Sequence, residues 1–210
     1  MNKKIFKIFQ GIDVYPYLFQ VGKMRSELYT DYPYLYMSAV ESKQEDTSIY
    51  QTSSETIMLG MFDNDQMIGF AIGQPLQNFV THNPYVKKVD SIEQFKDINL
   101  DLATCFYICE LLIVSNLRYQ GLEEELYLAF EKEIIKSKKY TSISFMHMNR
   151  GDHPLKPKNF IDPELGIFQT HNFEKTPIQC TYSWRTVQPF GRSPEIQDNV
   201  VDLWVKRIRK

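Results

Sequence analysis

The first part of the chain alternates apolar and polar residues over positions 3–9, which is the pattern of a half-buried strand. A helix is predicted next. Asp13 can cap its start, Pro16 falls in its first turn, and apolar residues recur at helical spacing as far as Leu28. Because proline disfavours helical backbone in the residue before it, we expect this helix to end before Pro33.

The next part of the chain predicts a hairpin. Two apolar runs, 55–62 and 67–74, flank an Asp-Asn-Asp-Gln turn, and this is typical of two antiparallel strands. A polar stretch, 41–54, precedes them and has room for a short helix. Residues 77–100 mix polar and apolar positions, and we interpret them as an irregular connecting segment with a short helix near 92–95.

The middle of the chain has the strongest periodicity. Residues 104–114 form an apolar run that predicts a central strand covered on both faces. Apolar residues at helical spacing over 122–138 predict an amphipathic helix, and 141–148 alternates as a further strand. A helix between two strands implies a right-handed crossover and parallel pairing of those strands.

The remaining segments complete the expected architecture. A proline-rich loop at 150–157 leads to a short helix near 163–171, and two closing strands follow at 179–187 and 200–208. The order of elements predicts an α/β protein, with a mixed sheet and helices on both faces. A length of 210 residues suits a single domain over 1–210.

The charge balance excludes several function classes. The chain has 24 basic and 26 acidic residues, a net charge of −2, so it lacks the bulk basic excess that would favour binding to duplex nucleic acid, and no nucleic-acid partner is expected. No apolar run approaches the roughly 18 residues that would span a membrane. Lys7, Gln10 and Asp13 interrupt the apolar residues near the start, which argues against a signal peptide. We therefore expect a soluble, cytoplasmic protein.

The cysteines and histidines indicate neither disulfides nor a metal site. The three cysteines are odd in number and form no CxxC pair, so we interpret them as small buried hydrophobic residues. The histidines show no ligand spacing, and no metal is expected. The cysteines are Cys105, Cys109 and Cys180, and the histidines are His82, His147, His153 and His171.

The most informative segment joins the central strand to the long helix, over residues 114–123. A buried strand, a tight turn with Arg118 and Gly121 three residues apart, and then a helix form an arrangement that captures anions. The free amides at the helix start and the helix dipole both favour negative charge there. With a single glycine, the segment is neither a Walker loop nor a GxGxxG fingerprint.

At this junction the sequence resembles the GNAT superfamily of N-acetyltransferases. Their diphosphate-binding turn follows the fourth strand and reads Arg/Gln-x-x-Gly-x-Gly/Ala, and Arg118 and Gly121 match its first two positions. Further segments resemble a bacterial branch of that superfamily in the same order along the chain. They are Pro33 to Tyr36, the hairpin 67–76, Arg150 with His153 to Pro157 (Lys156 replacing an arginine), and the closing segment 202–207.

The resemblance implies a sheet that splays between its fourth and fifth strands, with acetyl-CoA in the gap. It assigns the pantetheine and the acetyl carbonyl to the backbone of Leu112, Ile113 and Val114. An amine substrate, either a small molecule or a peptide, would approach from the opposite side of the sheet. The residues that it assigns to the diphosphate are Arg118, Tyr119, Gln120, Gly121, Leu122 and Glu123.

Glu123 departs from the family pattern, since it replaces a glycine or alanine and precedes two further glutamates. These carboxylates lie where the diphosphate would bind. Two charges about 4 Å apart repel by roughly 1 kcal/mol in water, and by more in a dry cleft, so coenzyme binding could weaken tenfold or more. Alternatively, the side chain of Glu123 swings to solvent and leaves the amides available.

Two residues are candidates for the catalytic chemistry. Glu110 lies among apolar residues of the central strand, where a carboxylate is unusual, and superfamily members often place a base on this strand. The alternative is a carboxylate paired with a neighbouring Lys or Tyr. His153 lies in a loop stiffened by two prolines, which can hold it towards a cleft, although it can equally be part of a structural turn.

The tyrosine that serves as general acid in the superfamily is replaced by Phe168. Tyr107, His147 and His171 are substitutes, each of which can instead be a packing or surface residue. The sequence thus predicts an N-acetyltransferase that uses acetyl-CoA. The alternative is a degenerate protein with the same fold that acts as a binding module. Because exposed closing strands often pair in this superfamily, a homodimer is one expected assembly.

Overall fold

The computed structural model describes residues 4–37, 50, 53–82, 86–89, 92–148 and 150–208. Within them, eight strands form one sheet in the order β1-β2-β3-β5-β6-β8-β7-β4. The strands are β1 (Ile5–Gln10), β2 (Ile57–Asp63), β3 (Gln66–Pro75), β4 (Val86–Val89), β5 (Cys105–Ile113), β6 (Ser142–Met148), β7 (Glu174–Thr186) and β8 (Glu195–Arg207). The sheet is mixed, as the sequence predicts, because β5 and β6 are parallel and the other neighbours are antiparallel.

Helices cover both faces of this sheet. The α-helices described are α1 (Leu18–Leu28), α2 (Leu76–His82), α3 (Ile92–Asp97), α4 (Leu122–Lys136) and α5 (Pro163–Thr170). On one face, Leu126 and Phe130 of α4 pack with Phe145 of β6. On the other face, Val21 and Met24 of α1 pack with apolar residues of β2, β3 and β5. The architecture therefore confirms the predicted fold class, a mixed sheet between helices.

β5 and β6 pair along only part of their length. The parallel ladder extends from Cys105 opposite Ser142 to Ile108 opposite Phe145. Beyond these pairs β5 stays with β3, and β6 stays with β8. The two central strands therefore separate in their second halves, and a gap opens in the middle of the sheet.

A β-bulge lies where the two strands separate. Gly73 of β3 faces Ile108 and Ile72 faces Glu110, so Cys109 is an extra residue on β5. A bulge bends the strand that carries it and increases its local twist. Gly73 is required there, since a Cβ atom would come within 2.4 Å of the Tyr107 carbonyl oxygen. The separation of β5 from β6 thus has a local cause in the chain.

Several predicted elements agree with the structure. The hairpin is β2 and β3, the central strand is β5 and is buried on both faces apart from half-buried Cys109, and the crossover helix is α4. The short helices predicted near 92–95 and 163–171 are α3 and α5. The polar stretch 41–54 lies largely outside the described residues.

Other expectations are wrong in their boundaries. Asp13 does not cap the first helix, because residues 11–17 form a 3-10 segment and α1 starts only at Leu18. The closing strands are much longer than predicted, since each has 13 residues. α2 and β4 replace part of the irregular connecting segment that we expected at 77–100.

None of the helices in the described part of the chain has the length and apolar character that crossing a bilayer demands.

Candidate active site

A cleft lies beside the end of β5, along the part of the strand that no longer pairs with β6, with an open space of about 340 Å³. Its walls come from β5, from the segment that follows α1, from the turn before α4 and from the start of α5. The residues that line it are Leu28, Tyr29, Tyr32, Pro33, Tyr34, Leu112, Arg118, Phe160, Asp162 and Glu164. The structure therefore brings two predicted coenzyme-binding residues, Leu112 and Arg118, together with the tyrosine cluster.

The end of β5 presents backbone groups towards the gap. Val114 donates its amide to the carbonyl of Ile68 on β3, at 2.9 Å. Successive residues of a strand direct their backbone N–H and C=O groups to opposite edges of the strand. The backbone groups of Ile113 therefore point to the edge of β5 that no longer pairs with β6. Of the three residues predicted to hold the pantetheine, Ile113 is the one with backbone groups directed into the gap.

The turn after β5 has the conformation of an anion-binding loop. Tyr119 and Gly121 both have positive φ angles, 62° and 80°. Gly121 is the N-cap of α4, and its left-handed conformation explains why glycine is needed there although a Cβ would meet no atom. Successive backbone amides in such a turn, at a helix start, form a concave site for an anion.

Glu123 already provides a negative charge to this turn. Its carboxylate accepts a hydrogen bond from the Tyr119 amide at 3.1 Å and lies 4.0 Å from Nε of Arg118. The residue is only 5% exposed. The side chain therefore folds back onto the turn, and it does not extend into solvent, which was the alternative that the sequence left open.

The two following glutamates have partners outside the turn. Glu124 lies 3.0 Å from Nε2 of His171, and Glu125 lies 3.1 Å from Nζ of Lys4. Both carboxylates are exposed, so these pairs contribute little to stability. They direct the two charges away from the turn, and Glu123 is the acidic residue that faces the predicted diphosphate position.

Glu110 is buried on the α1 face of β5, two residues before Leu112. Its carboxylate lies 2.8 Å from Nε of Arg25 and accepts a hydrogen bond from the hydroxyl of Tyr50. Burial raises the pKa of Tyr50, and the nearby Glu110 raises it further. Glu110 is thus the centre of a buried polar group between α1 and the sheet, and it is not among the described residues that line the cleft.

His153 lies near the entrance to the cleft. Its Nδ1 atom accepts a hydrogen bond from the Leu155 amide at 3.2 Å, and its ring lies 6.5 Å from that of Tyr32. Burial and the charge of Arg150 lower the pKa of His153. Arg150 donates hydrogen bonds to the carbonyl oxygens of Pro33 and Tyr34, so this loop holds the tyrosine segment in place.

The start of α5 places two acidic side chains in the cleft. Asp162 caps the helix by accepting the Leu165 amide at 2.9 Å, and it lies 2.7 Å from Nε2 of His147. Burial acts to raise the pKa of Asp162, but the hydrogen bonds from His147 and Leu165 outweigh it, so the pKa is lowered. Asp162 is therefore a carboxylate that remains ionised at neutral pH.

The pKa of Glu164 is shifted in the opposite direction from that of Asp162. The hydroxyl of Tyr34 donates a hydrogen bond of 2.6 Å to its carboxylate. Burial nevertheless raises the pKa of Glu164 to about 7, with Asp162 adding to the effect and Tyr34, Arg118 and His147 acting against it. Glu164 is consequently the carboxyl group in the cleft that changes its charge near neutral pH.

Phe168, which replaces the tyrosine of the superfamily, and the three residues predicted to substitute for that general acid all have other contacts. Phe168 is 3% exposed and stacks on Phe145 with ring centres 3.7 Å apart, so its ring belongs to the core. Tyr107 is buried against Phe79, with ring centres 4.1 Å apart. His147 and His171 form the pairs with Asp162 and Glu124 described above.

Sequence reasoning missed Asp162 and Glu164. In an Asp-Pro-Glu segment these residues are typical of an ordinary helix start. Their chemistry depends on Tyr34 and His147, which are distant in sequence. The described residues contain no group of three or more potential metal ligands, and the absence of a metal stays a prediction.

Comparison with solved structures shows a widely shared fold. NAA60 of Arabidopsis thaliana, solved with acetyl-CoA, has a TM-score of 0.59 at 12% identity, over 98% of this chain and 99% of that one. The ribosomal-protein-alanine N-acetyltransferase of Brucella melitensis has a TM-score of 0.56 at 12% identity, over 96% and 99% of the two chains. The chain therefore has the fold of GNAT acyl-CoA N-acyltransferases. Its sequence matches no protein-family model and no curated protein.

Proposed function

We propose that this protein transfers an acetyl group from acetyl-CoA to an amine held in the cleft between β5 and β6. The observations that carry the proposal are the separation of these strands beyond Ile108, which turns backbone groups of Ile113 into the gap, and the cleft that Leu112 and Arg118 line at this end of β5. Structures of the same fold, NAA60 among them, are known with acetyl-CoA. A thioester could thus reach the amine through the middle of the sheet.

The donor side of the proposal uses the residues that the sequence names. Leu112, Ile113 and Val114 would lie along the pantetheine and the acetyl group. The turn from Arg118 to Glu123 would receive the diphosphate, with the Arg118 guanidinium as its positive charge. For the amides of this turn to be available, the Glu123 carboxylate must leave the Tyr119 amide.

The acceptor side is aromatic and acidic, which suits an amine in its ammonium form. Tyr29 and Tyr34 lie with ring centres 4.3 Å apart, and Tyr32 meets Phe160 at 4.7 Å. Aromatic faces and carboxylates both attract a cation. The acceptor class is therefore a primary amine, from a small molecule or a peptide, and nucleic acid is no part of the proposal.

Acetyl transfer requires the removal of a proton from the ammonium group. Glu110 enters the proposal as the acceptor of that proton, and His153 as a further catalytic group beside the cleft. Replacement of Glu110 by Gln tests this role. If Glu110 is the proton acceptor, the replacement lowers the turnover of the folded fraction at neutral pH and leaves its coenzyme affinity unchanged, whereas equal turnover of that fraction would remove Glu110 from catalysis.

The proposed reaction can be tested with probe amines. The purified protein is incubated with acetyl-CoA and either n-butylamine or a tripeptide with a free N-terminal alanine, and the acetylated products are measured by mass spectrometry. We expect product above the enzyme-free rate for at least one probe, and more of it with Glu123→Gly. Tight coenzyme binding without any product from a wide panel of amines would contradict the assignment as an enzyme.

A second candidate function is favoured by the Glu123 contact and by Phe168. If the turn supplies its own anion and the usual acid is missing, the fold could serve as a binding module without acetyl transfer. Calorimetry with coenzyme A distinguishes the two functions. Micromolar binding supports the enzyme, and no binding at millimolar coenzyme, with binding restored by Glu123→Gly, supports the module.

The cytoplasmic location and the homodimer remain predictions beside this proposal. Size-exclusion chromatography with light scattering measures the assembly directly, and a monomer at all concentrations would exclude the dimer.

A further inference from the structure

Two glutamates of this site, Glu110 and Glu164, are close enough to Tyr29 for their charges to act on it. Burial raises the pKa of Tyr29, and the charges of Glu110 and of Glu164 raise it further, so both carboxyl groups are near this phenol. Glu110 comes from β5 and Glu164 comes from α5.

The surroundings of the two carboxyl groups differ in one decisive respect. Glu110 lies 2.8 Å from the Arg25 guanidinium, and a positive charge at that distance favours the ionised carboxylate. Glu164 accepts a hydrogen bond from the neutral hydroxyl of Tyr34 at 2.6 Å, and it lines the cleft. When the environments of two acids separate their pKa values, the two groups are suited to different roles.

We propose that Glu164 takes the proton from the ammonium group of the acceptor before acetyl transfer, an inference that rests on the function proposed above. Glu110 then remains an ionised partner of Arg25. The position of Glu164 supports this role, since it faces the same cleft as Leu112, where the acetyl group is expected. Glu164 thus takes the role of proton acceptor that the sequence assigns to Glu110, and the turnover of Glu110→Gln distinguishes the two assignments.

An N–H bond of the ammonium breaks and its proton passes to a carboxylate oxygen of Glu164, which leaves a neutral amine. The nitrogen lone pair forms a bond to the acetyl carbon, and the carbon–sulfur bond breaks with its electron pair on sulfur. A second N–H proton passes to that thiolate, which yields the amide and the thiol of coenzyme A. Glu164 then returns its proton to water.

The charge on Glu164 determines when this step can take place. Its pKa of about 7 means that the carboxylate is ionised above neutral pH and protonated below it. The groups that face it are Tyr34 and Tyr29 from the α1 side, Arg118 from the turn, His147 from β6 and Asp162 from its own helix. Ammonium binding and proton removal are therefore both expected to increase as pH rises through about 7.

Binding of n-butylammonium, measured by NMR titration without coenzyme, tests the role of Glu164. Around a pKa of about 7, the ionised fraction rises roughly tenfold between about pH 6 and about pH 8. We therefore expect roughly tenfold tighter binding at the higher pH in the unmodified protein, and no pH dependence in Glu164→Gln. Glu174→Gln is the matched control, since that residue is exposed on β7 and should keep the full effect. A tenfold change that persists in Glu164→Gln would overturn the proposal.

Tyr34→Phe provides a second test that leaves the carboxylate in place. The Tyr34 hydroxyl acts to lower the pKa of Glu164, so its removal should move the midpoint of the binding profile to higher pH. An unchanged midpoint in a folded Tyr34→Phe protein would contradict the inference. Because these measurements use no coenzyme, they are separate from calorimetry with coenzyme A, whose failure would count against the acetyl-transfer function itself.

Discussion

The carboxylate of Glu123 accepts a hydrogen bond from the backbone amide of Tyr119, 3.1 Å away. An internal carboxylate thus occupies the turn where a coenzyme diphosphate would bind. The interaction stabilises the turn, because it satisfies an amide before the helix and places negative charge at the positive end of the α4 dipole. The same contact opposes a ligand with two phosphates, so under the proposed function the balance between these effects would determine the affinity for coenzyme A.

Replacement of Glu123 by Gly should tighten the binding of coenzyme A by about tenfold or more, since it removes a competing charge and makes the Tyr119 amide available. Isothermal titration calorimetry measures the change. Glu124→Gly is the matched control, because it removes the same charge from the same helical turn, but from a side chain directed at His171. Equal improvement in both variants would show that general charge, and not the contact with Tyr119, limits binding.

The buried pair of Glu110 and Arg25 makes a separate prediction about stability. Glu110→Gln removes the carboxylate charge that lies 2.8 Å from Nε of Arg25, and loss of one member of a buried ion pair costs about 3–5 kcal/mol. Urea denaturation measures this loss. The double replacement Glu110→Leu with Arg25→Met should recover most of the stability, because it removes both charges of the pair. A single variant as stable as the original protein would mean that the pair contributes little.

The elements whose formation depends on residues close together in the sequence could be predicted from the sequence. The periodicity of β5 and α4 and the turn residues between β2 and β3 are local signals, and these elements appear where they are expected. The outer halves of β7 and β8 are polar, and Pro177 coincides with a register shift, so their full length is apparent only from the pairing of the two strands.

The predicted site could be found only in part, for a similar reason. The turn from Arg118 to Glu123 is a local motif, and Leu112 precedes it on the same strand. In contrast, Glu110 meets Arg25 from α1, and Glu164 meets Tyr34 from the segment after that helix. Such pairs join distant parts of the chain and leave no spacing that a single sequence reveals. The sequence also did not determine the direction of the Glu123 side chain, since a carboxylate can be stabilised both by solvent and by the amides of the turn.

Phe168→Tyr introduces the residue type that the GNAT resemblance assigns to the general acid, but we expect no gain in turnover. The ring of Phe168 packs against Phe145, Phe173 and Tyr127, so the added hydroxyl would be buried. Burial of a hydroxyl without a partner costs about 1–3 kcal/mol. Thermal unfolding and acetyl transfer to n-butylamine measure the two effects. A clear rise in turnover would mean that the added hydroxyl reaches the cleft and acts as the missing acid.

Asp162 should make stability depend on pH. Its pKa is lowered in the folded protein, so the stabilisation is present above the ordinary value of 3.8 and is lost as pH falls through the lower folded value. Asp162→Asn should therefore destabilise the protein at neutral pH by about 1–2 kcal/mol and converge with the original protein in acid. Urea denaturation across this range measures the difference. Asp152→Asn, at a fully exposed position, should change stability very little at any pH.

Hydrogen exchange of single backbone amides tests the location of the thioester most directly. The amide of Ile113 points into the gap between β5 and β6, whereas the amide of Val114 is already bonded to Ile68 on β3. With saturating acetyl-CoA, we predict slower exchange at Ile113 and Tyr119 and little change at Val114, both in the original protein and more strongly in Glu123→Gly. Unchanged exchange at Ile113 in both proteins, while they remain folded, would contradict the placement of acetyl-CoA between these strands.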